Sequence, residues 1–408
     1  MKHRVVITGI GIHSCIGESV EEVATSLYQG RSGIGIDPVR KEAGYMSGLT
    51  GIVSTPDLKG RLGRRERITL GQPGIFAYLA TEQALAQAGI TPDYLATHEV
   101  GILFGNDSCA EAVVRSADVI REKRNTQMAG TGAVFQSLDS TVTMNLSVLY
   151  NLRGINMTIA AACASGSHPI GLAWLLIGQG LQECIICGGA QEVNPLAVAS
   201  FDGLGAFSKR EDAPAEASRP FDADRDGLVP SGGGATLIVE SLESAKRRGA
   251  KVIAEVLGYG FSSNGDHLSV PNAIGPAVSL RRCLDSAGLS VEDVDYINAH
   301  ATSTPVGDAV EARAIKDVLG GHRAVVTSTK AFTGHEMWMS GASEAIYSLI
   351  MMERDFIAAN LNLHRLDPAA EGLCIPPERI DRHFDTFVSN SFGFGGTNST
   401  LAFRRFRE

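Results

Sequence analysis

Apolar residues fall along this chain in blocks, and the blocks recur in a fixed order: a short apolar run, a glycine-rich turn, then apolar positions at helical spacing. Arg4 to Ile12 is one such run and reads as a buried strand. Ser19 to Tyr28 follows as a helix, with Ser19 capping before Val20, Val23 and Leu27. Gly74 to Ala88 predicts a long helix, and Val100 to Gly105 a second buried strand. Met157 to Ala162, apolar apart from Thr158, predicts a third buried strand. After it Ile170, Leu172, Ala173, Leu175, Leu176 and Ile177 mark an apolar helix that closes at Gly178 and Gly180. Strands at Glu183–Gly189 and Gly232–Glu240 come next. The helix Ser241–Gly249 then ends in Lys246, Arg247 and Arg248, with a glycine stop.

From Val252 the order begins again. Helices are expected at Pro276–Ala287, Glu311–Leu319 and Ser343–Arg354, and strands at Val294–His300, Ala324–Thr329, Phe387–Asn390 and Asn398–Phe403. Such alternation predicts an α/β fold with buried sheets. The restart predicts two similar halves, residues 1–250 and 251–408.

Composition narrows the class. The chain has 408 residues, of which 44% are hydrophobic and 20% charged, as in a compact enzyme. No apolar run reaches the roughly 20 residues that span a bilayer. The N-terminus enters a strand pattern at once, unlike a signal peptide. A net charge of -9 argues against general nucleic-acid binding, and seven scattered cysteines fit reduced thiols in a cytoplasmic protein. Positive charge is local: Arg61, Arg64, Arg65 and Arg67 form one cluster, and Arg121, Lys123 and Arg124 a smaller one. The first reads equally as a solvated helix start or as a docking patch for an acidic partner.

Several motifs fail on inspection. Gly9 and Gly11 approach a dinucleotide fingerprint without its third glycine or its acidic ribose partner. Cys184 and Cys187 form a CxxC with no second ligand pair, so core packing is the expectation. The acidic turn Ser218–Val229 lacks the closing glutamate of a calcium loop.

The chemistry concentrates elsewhere. Cys163 sits between the expected strand and the apolar helix, flanked by Ala161, Ala162, Ala164, Ser165 and Gly166. A thiol at a helix N-terminus meets unpaired amides and a positive dipole, so a thiolate nucleophile is expected, with the small flanking residues clearing space for substrate. His300, Lys330 and His335 stand at the ends of apolar strands, where open α/β sheets place their ligands. Ser389–Asn398 sets Phe392 and Phe394 among glycines, as a mobile gate would.

Four motifs together, the Cys163 segment, His300-Ala-Thr-Ser-Thr-Pro-Val-Gly-Asp308, Lys330-Ala-Phe-Thr-Gly-His335 and Phe392-Gly-Phe-Gly-Gly-Thr-Asn398, make the chain resemble the elongating β-ketoacyl-acyl-carrier-protein synthases. The resemblance runs nearly end to end. It implies a thiolase-like fold of two βαβαβαββ halves layered α-β-α-β-α. It implies that Cys163 accepts the acyl group, that His300 and His335 assist malonyl decarboxylation, and that Lys330 and Glu344 support them. Thr302 and Thr304 would hold the pantetheine arm, Phe392 and Phe394 would border substrate with Phe394 as the gate, and the amides of Cys163 and Phe394 would form an oxyanion hole. No metal, nucleotide or other cofactor is called for, since substrates ride on the carrier's phosphopantetheine. The implied partner is an acidic acyl carrier protein docking on Arg64, Arg65 and Arg67, with Arg121, Lys123 and Arg124 contributing. The implied assembly is a homodimer, with a heterodimer containing a ketosynthase-like chain-length subunit as the alternative. Neither nucleic acid nor membrane is an expected partner.

Other members of the superfamily fit less well. A non-catalytic partner subunit lacks the nucleophile, a degradative thiolase has a second cysteine in a glycine-rich turn, and an initiating synthase pairs His with Asn. Two departures stand out. Glu336-Met-Trp-Met-Ser340 replaces the small residues usual after Gly-His, with Met337, Trp338 and Met339 expected to reshape the acyl tunnel. Pro169 is expected to delay or kink the first turns of its helix.

Overall fold

The computed structural model describes residues 1–408. Its centre is one ten-stranded sheet: β1 Val5–His13, β2 Val100–Gly105, β3 Asn156–Ile159, β4 Cys184–Gln191, β5 Gly233–Ser241, β6 Ala254–Ser263, β7 Tyr296–Asn298, β8 Val325–Thr327, β9 Thr386–Phe392 and β10 Thr397–Arg405. The strand order is β8-β7-β9-β10-β6-β1-β5-β4-β2-β3. Outward from the centre, β1-β5-β4-β2-β3 and β6-β10-β9-β7-β8 repeat the same pairings, two antiparallel and then two parallel. A short antiparallel ladder, Val5–Ile7 against Ala254–Val256, joins the two sets.

The helices follow the same repeat: α1 Gln72–Ala88, α2 Thr141–Leu149, α3 His168–Gly178, then α4 Ile274–Ala287, α5 Pro305–Leu319 and α6 Ser340–Glu353. α1 covers the outer face of β1 and β5, and α4 that of β6 and β10. α3 and α6 each touch strands of both sets and so form the middle layer of an α-β-α-β-α stack. Their sequences explain the placement. α6 is buried on every side from Ser340 to Met352; its few polar side chains find buried partners, as Glu344 does in Lys330.

Glycines set the distance between outer helix and sheet. A Cβ on Gly9 would lie 2.2 Å from the Ala84 carbonyl oxygen of α1, and one on Gly11 2.0 Å from that of Ala80. Gly258 and Gly260 stand in the same relation to Cys283 and Ser279 of α4, at 2.7 and 2.0 Å. The apparent dinucleotide glycines are therefore a packing device. Cys184 and Cys187 are buried within β4. The acidic turn is anchored by its own Arg225, which lies 2.6 Å from Asp367 and 3.4 Å from Asp308.

Two expectations need correction. β3 is not a buried strand; it is the outermost strand of the sheet, and Met157 on it is 48% exposed. Its apolar character serves a surface that the rest of the chain leaves open. Pro169 causes no kink either. It occupies the first turn of α3, where no intrahelical acceptor awaits its missing N–H. No helix is long and apolar enough to cross a membrane.

Candidate active site

Cys163 lies past the end of β3 in a single 3-10 turn, Ala162–Ala164. Ala162 is held at φ +46°, a left-handed conformation that costs a non-glycine residue about 1 kcal/mol or more. Three bonds impose it: Ala162 N–H donates to Asp107 Oδ2 at 2.8 Å, Ala161 N–H to Ser165 Oγ at 2.8 Å, and Ser165 Oγ to the Ala162 carbonyl at 2.7 Å. The small residues on the far side of the thiol do not clear space for substrate. A Cβ on Gly166 would lie 2.8 Å from the Trp338 and Met339 carbonyls, and one on Gly105 2.4 Å from the Ser165 backbone. They let three backbones cross, which fixes the thiol against the start of α6.

His335 reaches the same point from the other half. Its backbone N–H donates to the Val229 carbonyl at 2.7 Å, and its carbonyl accepts from Ser231 N–H at 2.8 Å. Nε2 is 3.0 Å from Cys163 Sγ. Nδ1 is 3.2 Å from Met337 N–H and 3.0 Å from Ser340 Oγ. An amide can only donate, so Nδ1 accepts and the neutral ring carries its proton on Nε2.

His300 follows β7. Its N–H and that of Ala301 donate to the two oxygens of Glu311 at 2.9 and 2.7 Å. Its Nδ1 is 3.5 Å from Lys330 Nζ, which pairs on its other side with Glu344. An ammonium can only donate, so His300 too turns a protonated Nε2 toward the cavity. The two rings meet edge to face, 5.3 Å between centroids. Burial, and then the Lys330 charge, hold both imidazoles well below their usual pKa, so both stay neutral.

The thiol corrects an expectation. Burial pushes Cys163 up to about 11. The Lys330 charge and the N–H groups of Phe394 and of Cys163 itself pull it back only in part, so the resting group is the thiol. Desolvation outweighs helix-end electrostatics here, because α3 begins only at His168.

These groups line a cavity of about 480 Å³ together with Thr302, Thr304, Phe392, Phe394 and Met337. The Thr302 and Thr304 hydroxyls are 3.1 Å apart. Phe394 is exposed at the rim on a turn whose Gly395 and Gly396 have φ +76° and +78°. Its ring stacks on Phe201 at 6.2 Å, and Phe392 lies 5.9 Å from the His300 ring. Lys330 and Glu344 do not line the cavity. They form a buried ion pair behind His300.

Glu311 was missed in the sequence. It is a buried acid, pushed up to about 7 by burial, and it clamps the His300 backbone from α5. Its signal was one acid on the buried face of a helix. Glu336 is a second such acid, pushed up to about 8 by burial. Ser343 Oγ is 2.5 Å from Glu336 Oε2 and 3.0 Å from the Ser340 carbonyl, and Tyr347 OH donates to Glu336 Oε1 at 2.8 Å. One hydroxyl proton cannot serve two acceptors at once. The set closes when Glu336 is protonated and donates to Ser343, which donates to Ser340.

The bulky segment divides. Met337 lines the cavity, Trp338 packs behind it, and Met339 belongs to the main core between Gly189 and Gly233, away from any tunnel. The basic residues lie off the cavity. Arg64 and Arg65 are exposed on the short helix Arg64–Arg67, while Arg67 lies 3.6 Å from Asp57. Lys123 and Arg124 are exposed at the end of the helix Ala110–Lys123, with Arg121 bound to Asp118 at 3.0 Å.

Cys163 Sγ, His300 and His335 bring their donor atoms within 4.8 Å of one another, a set of the size and type that holds zinc. With both Nδ1 atoms already receiving donors and an ammonium behind them, the imidazoles present N–H groups. They suit an oxygen gaining negative charge better than a cation.

Comparison with known proteins agrees with this geometry. Residues 2–245 match the family described as "Beta-ketoacyl synthase, N-terminal domain", and residues 253–364 match "Beta-ketoacyl synthase, C-terminal domain". The chain is 41% identical over 407 residues to 3-oxoacyl-[acyl-carrier-protein] synthase 1 of Haemophilus influenzae, covering 99% of both. It superposes on a β-ketoacyl synthase from Burkholderia phymatum with a TM-score of 0.94, at 35% identity over 99% of this chain and 100% of that one. A ketosynthase solved with a type II polyketide acyl-carrier protein and a bound hexaketide aligns over 100% of both chains, at a TM-score of 0.91 and 27% identity.

Proposed function

Because the chain belongs to the β-ketoacyl synthase family and has its carbon–carbon bond-forming acyltransferase activity, we propose the following division of labour within its site. The observation that carries it is the pair of Nε2–H groups converging with Cys163 in one cavity.

In the first step the Cys163 sulfur attacks an acyl thioester delivered on a carrier protein. The acyl group moves to Cys163, and the carrier's thiol leaves with the proton that the cysteine loses. The carbonyl oxygen meets the N–H groups of Cys163 and Phe394. In the second step a malonyl thioester enters, with its arm against Thr302 and Thr304. Loss of carbon dioxide leaves an enolate, whose oxygen accepts from the Nε2–H of His300 and of His335. Its carbon attacks the Cys163 thioester. The product is a β-ketoacyl chain two carbons longer on the carrier, and the Cys163 thiolate takes up a proton from solvent. Every bond made or broken is served by side chains and amides, so this reading calls for no cofactor.

Lys330 and Glu344 act as positioning residues. Lys330 fixes the tautomer of His300, and Glu344 neutralises a charge that would be costly alone at that depth. The acyl carrier protein docks on Arg64 and Arg65, the members of their cluster that form no ion pair, with Lys123 and Arg124 as further contacts. A small acidic partner needs local positive charge on a protein of net charge -9.

Two copies pair through β3. The opposite end of the sheet is covered, since Val326 N–H donates to the Cys374 carbonyl, whereas β3 has a bare edge. Beside it Val148 is 81% exposed. A bare apolar edge invites a partner strand, and a second copy supplies one of matching sequence. Seven free cysteines fit a cytoplasmic setting.

The test is to incubate the protein with an acyl-carrier primer and malonyl-carrier, and to follow both carbon dioxide and the mass of the carrier-bound product. A gain of a two-carbon β-keto unit supports the reading. Carbon dioxide release without chain growth overturns it.

A further inference from the structure

The cavity around Cys163 has two ends of opposite character. At the mouth stand Leu268, 80% exposed, Val306 and Phe394. At the inner end Leu228 is 5% exposed and Met337 1% exposed. If Cys163 carries an acyl chain, as proposed above, that chain and the next carrier arm must occupy the cavity together. The arm enters from solvent, so the chain turns inward, toward Phe201, Leu228 and Met337.

That inner end is closed by Trp338. Its indole does not line the cavity. It packs behind Met337 and Leu228 and sits 6.2 Å from the Phe201 ring. It is pinned at both ends. Nε1–H donates to Ser108 Oγ at 3.2 Å. Its backbone follows Met337, whose φ of +47° and N–H bond to His335 Nδ1 tie this turn to the reacting residues. The indole shares its buried cluster with Ala197, Val198 and Phe207.

We infer that Trp338 is the residue that limits acyl length: it backs the inner wall of the pocket, so that short chains fit on Cys163 and long ones are stopped at Phe201 and Met337. The wall acts through Phe201 and Met337, which cannot retreat while the indole is behind them. A methylene that fits or fails to fit an apolar pocket changes kcat/KM by about 10-fold or more.

The experiment measures kcat/KM for hexanoyl-, decanoyl- and tetradecanoyl-carrier primers with malonyl-carrier. It compares the wild-type protein with Trp338→Ala, Trp338→Phe and Ser108→Ala. The expected wild-type result is a steep fall between decanoyl and tetradecanoyl. In Trp338→Ala the tetradecanoyl-to-hexanoyl ratio should rise by about 10-fold or more, while Trp338→Phe and Ser108→Ala, which keep a ring in place, should shift it by about 3-fold or less. An unchanged ratio in Trp338→Ala overturns the inference, as does an equal rise in Ser108→Ala. Primer-independent decarboxylation of malonyl-carrier reports on the His pair and should stay at the wild-type rate in all variants. Trp338→Leu takes the place of Trp338→Ala if that variant loses decarboxylation through misfolding. Absence of chain growth on every primer in the wild-type protein would defeat the proposed function instead, which separates the two failures.

Discussion

His335 faces Cys163 with a proton to give rather than a lone pair to offer: Nε2 is 3.0 Å from the sulfur, and Nδ1 is already taken by Met337 N–H. On the division of labour proposed above, the histidine stabilises negative charge on the sulfur, and later on an enolate oxygen, without being a resident base. Cys163→Ala should abolish chain growth by at least about 1,000-fold and spare malonyl decarboxylation, because the donors for the enolate remain. Parallel assays of product mass and carbon dioxide decide it; loss of both activities in a folded variant would put Cys163 in the decarboxylation step as well.

The Lys330 charge opposes the upward push of burial on the Cys163 thiol. Replacing the pair together, Lys330→Met with Glu344→Gln, removes that charge without orphaning its partner. The thiol should then titrate at still higher pH. Alkylation of Cys163 by iodoacetamide at pH 8 should slow several-fold, since each pKa unit is a factor of about ten in thiolate. An unaltered rate–pH curve would limit Lys330 to orienting His300.

Glu336 predicts an alkaline weakness. Its folded-state pKa, about 8, is raised above the ordinary carboxyl value of 4.5. The fold therefore holds a proton that the unfolded chain releases, and this contribution is complete below about 4.5 and lost as pH rises toward 8. Glu336→Gln copies the protonated acid's donor and acceptor. Its Tm should match the wild type below about pH 4.5 and exceed it by a margin that grows up to about pH 8 and is constant above it. Parallel Tm curves would mean that Glu336 is ionised in the native protein.

Arg65→Glu should raise KM for carrier-bound substrates by about 10-fold and flatten their salt dependence, leaving turnover of a pantetheine-linked substrate unchanged. Equal damage to both substrates would assign the short helix a structural task.

Val148→Asp, on the open apolar surface near β3, should convert a dimer to a monomer in light scattering at micromolar concentration. A wild-type protein that is monomeric throughout would sink the pairing scheme.

The sequence was most readable where chemistry and strand ends coincide. Cys163, His300, Lys330 and His335 each interrupt an apolar or small-residue stretch, and no packing argument explains four such interruptions together. The repeat of elements was readable for the same reason, since each half writes the same order of apolar runs. What escaped depends on distant neighbours. Glu311 looks like an ordinary helix acid until α5 is docked beside His300. Met339 and Met337 are identical by composition, yet one fills the core and the other the cavity wall, a difference set by where the turn crosses Gly166. The resting state of the thiol is not legible in the sequence, because a dipole can be read from the order of elements, whereas desolvation requires knowing what covers the sulfur.

The two halves of the chain divide the reacting groups between them. Cys163 comes from the first round of elements, and His300, Lys330 and His335 from the second, while only the exposed link around Gly249 and Lys251 joins the rounds in sequence. A chain cut in that link would leave a nucleophile in one fragment and its proton donors in the other, each idle by itself. Return of catalysis on mixing would then report whether two separately made pieces had reseated across their shared ladder at Val5–Ile7 and Ala254–Val256.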